Sequence, residues 1–223
     1  MDAYVHSPYL LELKLIGAIS VGNTELAESI LKEINLKERA KLAPEVVRSN
    51  KNSVIASITL FTRAAITAGV IDEDAYTISD RLINELEAAK SLQEINKLEY
   101  KALQIITKNV RDVLSNQYNG IALRAMQVIK SDLKSKQTLS VIASKINVTP
   151  VYLSELFRKE TGKSISRYII EAKMHESVFY LKNTDYSIAE IADMYNFSSV
   201  SYYIKHFRAV FNLTPGSYRT VKP

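Results

Sequence analysis

The sequence predicts an all-α protein of two domains, residues 1–118 and 119–223. Apolar residues recur every three to four positions through most of the chain, as on one face of a helix, and no segment alternates with the period of a strand. The positive charge is concentrated in the second half, and a segment of that half recurs about 50 residues later. Because the chain has 223 residues and is 47% hydrophobic, it can bury a core in each domain.

Five helices are predicted in the first half, separated by residues that interrupt the periodic pattern. Gly22 and Gly69 fall between periodic segments, and Pro44 suits a first helical turn. Ser91 and Glu94 have the spacing of a capping box ahead of an apolar stripe, which is read as core. The predicted helices are Pro8 to Val21, Asn23 to Asn35, Pro44 to Ala68, Glu73 to Lys90 and Ser91 to Asn116.

Charge divides the chain at the polar stretch from Ser115 to Gly120. Residues 1–120 contain 14 basic and 16 acidic side chains, a net charge of −2, whereas residues 121–223 contain 15 and 8, a net charge of +7. A nucleic-acid backbone attracts such a basic domain because bound cations replace condensed counterions. The same charge would suit a merely solubilising surface, so both interpretations stay open at this point.

The second half contains an internal repeat. The segment from Ala143 to Thr149 recurs from Ala192 to Ser198, at an offset of 49 residues, and Phe157-Arg158 recurs as Phe207-Arg208, at an offset of 50. One structural unit therefore occurs twice, with one extra residue near the second turn. The other matches at an offset of 50 are Gly162 with Asn212, Ser164 with Thr214 and Tyr168 with Tyr218.

Each copy predicts a short helix, a tight turn and a longer helix. In the first copy, Thr138 caps a helix from Leu139 to Ile146, Asn147 supplies the turn, and Thr149 is an N-cap followed by Pro150. Asparagine suits the turn because it tolerates the positive φ for which glycine is otherwise used. These features together predict a helix-turn-helix unit.

The second copy carries the same signals. Ser187 and Glu190 form a capping box, Asn196 supplies the turn, and Ser198 is predicted to cap a helix from Ser199 to Phe211. Small alanines near the end of both short helices allow close packing against the long ones. Two helix-turn-helix units are therefore expected in one chain.

The long helices are predicted to have a buried and an outward face. At helical spacing the core positions are Leu153, Leu156, Phe157, Tyr203, Phe207 and Val210. Glu155 could accept a hydrogen bond from cytosine and Lys205 could donate one to guanine, although a solvated face would look similar. The candidate DNA-contacting residues are Val151, Ser154, Glu155, Arg158, Val200, Ser201, Tyr202, Lys205, His206 and Arg208.

Catalytic, metal and redox chemistry find little support. The chain has no cysteine, which excludes disulfides and cysteine nucleophiles and fits a reducing cytoplasm. His6, His175 and His206 lie far apart, without the His-Glu-x-x-His spacing of a metalloprotease. No apolar run reaches the ~18 residues of a membrane span. We therefore expect a cytoplasmic protein that is not an enzyme and has no catalytic residues, cofactor, metal site or membrane segment.

Residues 121–220 resemble the DNA-binding domain of the AraC/XylS family of bacterial transcription regulators. The resemblance is densest over residues 196–208 and 214–219, extends to residues 150–162, and includes Lys173-Met174. It implies a seven-helix, homeodomain-like double helix-turn-helix domain. Its two recognition helices would enter successive major grooves, joined by a helix from Ser164 to Lys182.

The sequence departs from this family at several positions. Asn147, Asn196 and Asn212 stand where glycine is usual, and Lys205 replaces a frequent arginine. Lysine keeps the positive charge but loses the bidentate fork of a guanidinium group. The base sequence that family members read therefore does not transfer to this chain.

The resemblance also implies partners. It points to double-stranded DNA and RNA polymerase, and to a role as an activator, although activation and repression are not distinguishable from these residues. The first half resembles all-helical regions of some Gram-positive relatives, which suggests regulation by an unknown effector, homodimer formation, or both. The alternative from another class is a helical adaptor that binds RNA or protein.

Overall fold

The structure is a computed structural model that describes residues 9–36 and 39–220. Within these ranges the chain forms twelve α-helices and no strand, which confirms the all-α prediction. The first compact unit ends at Gln117 and the second begins at Tyr118. Across the same ranges, no helix combines the length and apolar content that a membrane crossing requires.

The first unit contains five helices in its described part, as the breaker residues predicted. The third helix packs against the fourth and fifth, and the first two form a hairpin beside them. Pro8, the predicted start of the first helix, lies outside the described residues. The helices are α1 (Tyr9–Ile19), α2 (Thr24–Asn35), α3 (Val46–Thr67), α4 (Asp72–Ala88) and α5 (Leu92–Gln117).

The start signals of α3 and α5 act differently from the sequence prediction. Glu45 is the N-cap of α3, and its carboxylate accepts bonds from two backbone N–H groups of the first turn at 2.8 and 2.6 Å. Pro44 therefore precedes the cap and is not in the first turn. At α5 the N–H of Glu94 donates to Ser91 Oγ at 3.2 Å, but the Glu94 carboxylate accepts from the N–H of Lys90, not from that of Ser91.

A buried carboxylate ties the first unit together. Glu99, on α5, is 1% exposed. Its Oε2 accepts from Asn35 Nδ2 at 2.7 Å and from the Arg39 guanidinium at 2.5 Å, and its Oε1 accepts from Ser57 Oγ at 2.9 Å. An unpaired buried charge would be strongly destabilising, so these bonds hold α2, the following segment and α3 against α5.

The second unit contains seven helices in its described part, which confirms the seven-helix expectation. The first three pack on one another, and the fourth, a long helix, packs on the three that follow it and on the one before it. The helices are α6 (Gly120–Ser131), α7 (Leu139–Lys145), α8 (Pro150–Thr161), α9 (Ile165–Asn183), α10 (Ile188–Met194), α11 (Val200–Phe211) and α12 (Pro215–Thr220).

The sequence repeat is also a repeat of packing. The rings of Phe157 and Tyr168 meet edge to face at a centroid distance of 5.4 Å and an angle of 79°. Their counterparts 50 residues later, Phe207 and Tyr218, meet at 5.4 Å and 80°. Both phenylalanines are fully buried. Each helix-turn-helix unit therefore anchors its long helix to the segment that follows it by the same aromatic contact, a geometry that aromatic pairs favour.

Candidate nucleic-acid interface

The turns that join α7 to α8 and α10 to α11 have the same backbone geometry. Asn147 and Asn196 have φ values of 59° and 57°, as the sequence predicted. In each turn, the N–H of the next residue donates at 3.0 Å to the carbonyl oxygen of Ala143 or Ala192. Both alanines are buried. The small side chain and the left-handed residue together allow the long helix to fold closely against the short one.

The N-caps of the two long helices show where the extra residue lies. Thr149 Oγ1 accepts from a backbone N–H of the first turn of α8 at 3.3 Å, and Ser199 Oγ does the same in α11 at 3.1 Å. The predicted cap at Ser198 is therefore wrong, and the helix begins at Val200. The additional residue lies between Asn196 and the cap, so the offset is already 50 when the helix starts.

The C-termini of α8 and α11 also correspond. Gly162 and Asn212 adopt left-handed conformations with φ values of 69° and 57°. Their N–H groups donate to the carbonyl oxygens of Arg158 and Arg208, both at 2.9 Å. Because caps and ends match, each long helix contains 12 residues and presents the same register to solvent.

Most of the predicted contact residues are exposed. Val151 is 70% exposed, whereas Ser154 and His206 are half-buried. Of the predicted core residues, Leu156 and Val210 are only half-buried because they flank the buried stripe, and the other four are fully buried. The exposed members of the predicted set are Val151, Glu155, Arg158, Val200, Ser201, Tyr202, Lys205 and Arg208.

The charged groups on the outward faces are available to a ligand. Within the described part of the chain, the side chains of Glu155, Arg158, Lys205 and Arg208 have no ion pair or hydrogen bond. By contrast, Arg167 pairs at 2.9 Å with a carboxylate on α9. The free groups can therefore contact base edges or phosphates without breaking an internal bond.

An aromatic pair lies on the outward face of α11. The rings of Tyr202 and His206 meet edge to face at a centroid distance of 4.4 Å. Partial burial lowers the pKa of His206 below its usual 6.5, and the neighbouring Lys205 lowers that pKa further. This environment favours the neutral form of the ring, which has one nitrogen that donates and one that accepts a hydrogen bond. His175 lies in α9, and His6 lies outside the described residues.

Tyr152 belongs to the same surface but was missed in the sequence. It is 47% exposed on the first turn of α8, and Tyr202, its counterpart 50 residues later, is 42% exposed on α11. The repeat itself carries the signal that could have found it, because the offset of 50 relates the two tyrosines directly. Both recognition helices thus present an exposed phenol beside their N-cap.

The helix-turn-helix domain family matches residues 142–220, which confirms the helix-turn-helix prediction. Over 97% of its length the chain is 25% identical to the HTH-type transcriptional regulator YtdP of Bacillus subtilis. It is 24% identical over 76% of its length to the transcriptional activator PerA of Escherichia coli, and 28% identical over 44% to the transcriptional activator AggR of Escherichia coli. The chain spans 28%, 62% and 36% of the lengths of these relatives, respectively.

Among solved structures, the chain is similar to the C-terminal domain of AraT, a response regulator from Geobacillus stearothermophilus. The two are 28% identical, and the match covers 48% of this chain and 88% of the other, with a TM-score of 0.45.

The corrected cap of α11 makes a prediction about stability. Ser199→Ala should lower the free energy of unfolding by about 1 kcal/mol, because it leaves a helix N–H without its partner. Ser198→Ala, one residue earlier, should change it by less than about 0.5 kcal/mol. Urea denaturation of the full chain, followed by circular dichroism, measures both. A larger loss in Ser198→Ala than in Ser199→Ala would contradict the assignment of the cap.

Proposed function

We propose that this chain, whose C-terminal unit is a helix-turn-helix domain of the AraC type, is a transcriptional regulator that reads duplex DNA through α8 and α11. The observation that carries the proposal is the duplicated geometry. Both units have the same turn, the same N-cap position, the same C-terminal residue conformation and the same outward register. A second helix held in this way is the element that enters the major groove in helix-turn-helix proteins.

Equivalent positions on the two helices have opposite chemistry. Glu155 on α8 and Lys205 on α11 are related by the offset of 50, and both are exposed and free of internal partners in the described part of the chain. A carboxylate accepts from cytosine N4, whereas an ammonium donates to guanine O6 and N7. The two half-sites should therefore differ in sequence, and the site should have a direction.

Backbone contacts are proposed for the arginines at the C-terminal ends of the helices. Arg158 and Arg208 occupy equivalent exposed positions and keep their charge free. Cations in such positions bind phosphates and set the orientation of the protein without reading sequence. The net charge of +7 on residues 121–223 supports the same role for this unit.

Activation of transcription is proposed because PerA and AggR, two of the similar proteins, are transcriptional activators. Contact with RNA polymerase belongs to the same proposal. For the first compact unit, which ends at Gln117, we propose a regulatory role, through an effector or through dimer formation. Its net charge of −2 over residues 1–120 gives it no electrostatic attraction to DNA.

A helical adaptor that binds RNA remains the second candidate, and nucleic-acid preference separates the two. We expect the full chain to bind duplex DNA with an affinity that falls tenfold or more between roughly 50 and 200 mM salt. Duplex RNA of the same sequence should bind more weakly, because its deep, narrow major groove does not admit a helix. Fluorescence anisotropy titrations measure both affinities. Equal or tighter binding to RNA would favour the adaptor.

Substitutions should separate base-reading from phosphate-binding residues. Lys205→Ala and Glu155→Ala should each change the preferred base at one position, at a cost of about 1–3 kcal/mol. Arg158→Ala and Arg208→Ala should instead weaken all sequences alike and reduce the salt slope by about 1. Selection from random duplexes, followed by sequencing, measures these preferences. If Lys205→Ala selects the wild-type sequence, α11 does not read bases through Lys205.

One chain should cover two successive major grooves. Helix α9 contains 19 residues, which corresponds to a length of about 28 Å, and two half-sites lie about 34 Å apart. Hydroxyl-radical footprinting of complexes with one chain per duplex should show two protected regions centred roughly 10 base pairs apart. Native mass spectrometry establishes the stoichiometry. Protection of only one groove, roughly five base pairs or fewer, would contradict the two-groove proposal.

A further inference from the structure

The segment that connects α6 to α7 leads into the first helix-turn-helix unit, and it is held by side chains from outside that unit. Within the segment, Gln137 Nε2 donates to the carbonyl oxygens of Ile129 and Asp132 at 3.0 and 2.6 Å. These bonds fix residues 132–137 to the end of α6. Further bonds to this segment come from α9 and from the turn of the second helix-turn-helix unit.

Lys173, on α9, contacts both the second helix-turn-helix unit and the segment that leads into the first. Its side chain is buried, with 6% of the residue exposed. Its Nζ donates to the carbonyl oxygen of Tyr195 at 2.8 Å and to that of Ser135 at 3.5 Å. Tyr195 is the C-cap of α10, in the second helix-turn-helix unit, and Ser135 lies in the segment that connects α6 to α7, just before the first. The carbonyl end of a helix attracts a cation, which suits an ammonium at this position.

A second bond runs beside the first. Asn196, the left-handed residue of the second turn, donates from Nδ2 to the carbonyl oxygen of Lys134 at 2.5 Å. The Lys134 ammonium lies over the ring of Tyr180, on α9, at 4.6 Å from its centroid. The segment before the first unit is therefore joined to the turn of the second by two side chains and to α9 by a third contact.

Because Lys173 is buried, its ammonium depends on the acceptors that the observed arrangement places around it. Burial lowers the pKa of Lys173 below its usual 10.5, and nearby Asp132 opposes that shift. A buried ammonium is tolerated only where hydrogen-bond acceptors surround it, and here the acceptors are a carbonyl oxygen of the second helix-turn-helix unit and one of the segment before the first. The ammonium keeps both acceptors only while the units hold the observed relative position. Displacement of one unit would leave a buried cation without its partner.

We propose that Lys173 and Asn196 are positioning residues that fix the spacing and orientation of the two recognition helices, and so determine the half-site spacing that the protein accepts. This inference rests on the proposed function, because it presumes that both helices bind DNA. The two helix-turn-helix units also share α9, which packs against α8, α10 and α11. The polar bridge turns that link into a rigid one, which lowers the entropy lost when both helices engage DNA together.

The experiment compares binding of the full chain to duplexes that differ only in the distance between the half-sites. Random-duplex selection first supplies the preferred site, and one base pair is then removed from or added to its centre. Each added pair displaces the second half-site by about 3.4 Å and rotates it by roughly 35°. The wild-type chain should lose affinity about tenfold or more at either altered spacing, a loss within the range typical of one mismatched base pair.

Asn196→Gly is the sharpest variant, and Asn147→Gly is its matched control. Glycine keeps the positive φ at either turn, so neither substitution strains the backbone. Of these two asparagines, Asn196 bonds through its side chain to the segment before the first helix-turn-helix unit, whereas Asn147 makes no side-chain hydrogen bond within the described residues. We expect Asn196→Gly to reduce the spacing penalty to less than about threefold, while Asn147→Gly keeps the wild-type penalty.

Lys173→Met tests the other bond, with Lys182→Met as a control that removes one positive charge from the same helix. Lys182 is exposed and contacts the ring of Tyr218 at 5.2 Å from its centroid. Loss of the Lys182 charge should lower the affinity for duplexes of every spacing by the same factor. Lys173→Met should instead reduce the difference in affinity between the preferred and the altered spacings. Thermal unfolding shows which variants are folded. If Lys173→Met does not fold, the Asn196→Gly and Asn147→Gly pair decides alone.

The outcomes separate the inference from the proposed function. A smaller loss of affinity at the altered spacings in a folded Asn196→Gly or Lys173→Met chain than in the wild type supports the inference. If Asn196→Gly and Lys173→Met, where folded, both keep the wild-type spacing penalty, the inference is overturned, even if their overall affinity falls. A wild-type chain that selects a single short half-site would contradict the two-groove function itself, and the inference with it.

Discussion

The second compact unit, which begins at Tyr118, depends on one constraint, the left-handed turn between a short and a long helix. Asn147 and Asn196 adopt positive φ, which costs most residues about 1–2 kcal/mol but is tolerated by asparagine and glycine. A buried alanine at the end of each short helix provides room for the long one. Once the turn is made, the direction of the recognition helix is set, and its apolar stripe can only face the core.

Duplication of this unit gives the protein two similar surfaces that have diverged in chemistry. The aromatic anchors, caps and turns match between copies, whereas the exposed residues differ, most clearly at Glu155 and Lys205. Structural positions are restricted by packing and backbone geometry, but exposed positions are free to change with the ligand. The exposed features that both copies keep include the two tyrosines beside the N-caps and the arginines Arg158 and Arg208.

Buried polar groups supply specific links where apolar packing alone would leave freedom. In the first unit, Glu99 joins three segments through its carboxylate oxygens. In the second compact unit, buried Lys173 joins the end of α10 to the segment before α7, and the exposed side chain of Asn196 adds a bond to the same segment. A hydrogen bond requires a particular distance and direction, whereas apolar contacts tolerate sliding. These groups therefore suit a role in fixing relative positions.

The sequence by itself determined the helices, the two turns, the Thr149 cap and the outward faces, because these depend on neighbours within about one helical turn. Only the tertiary structure decided that Ser199 and not Ser198 caps α11, since the position of the extra residue is set by how the second turn packs. It also decided that Lys173 is buried, although its sequence neighbours give no sign of this. Its partners lie 22 and 38 residues away, so only the folded chain brings them together.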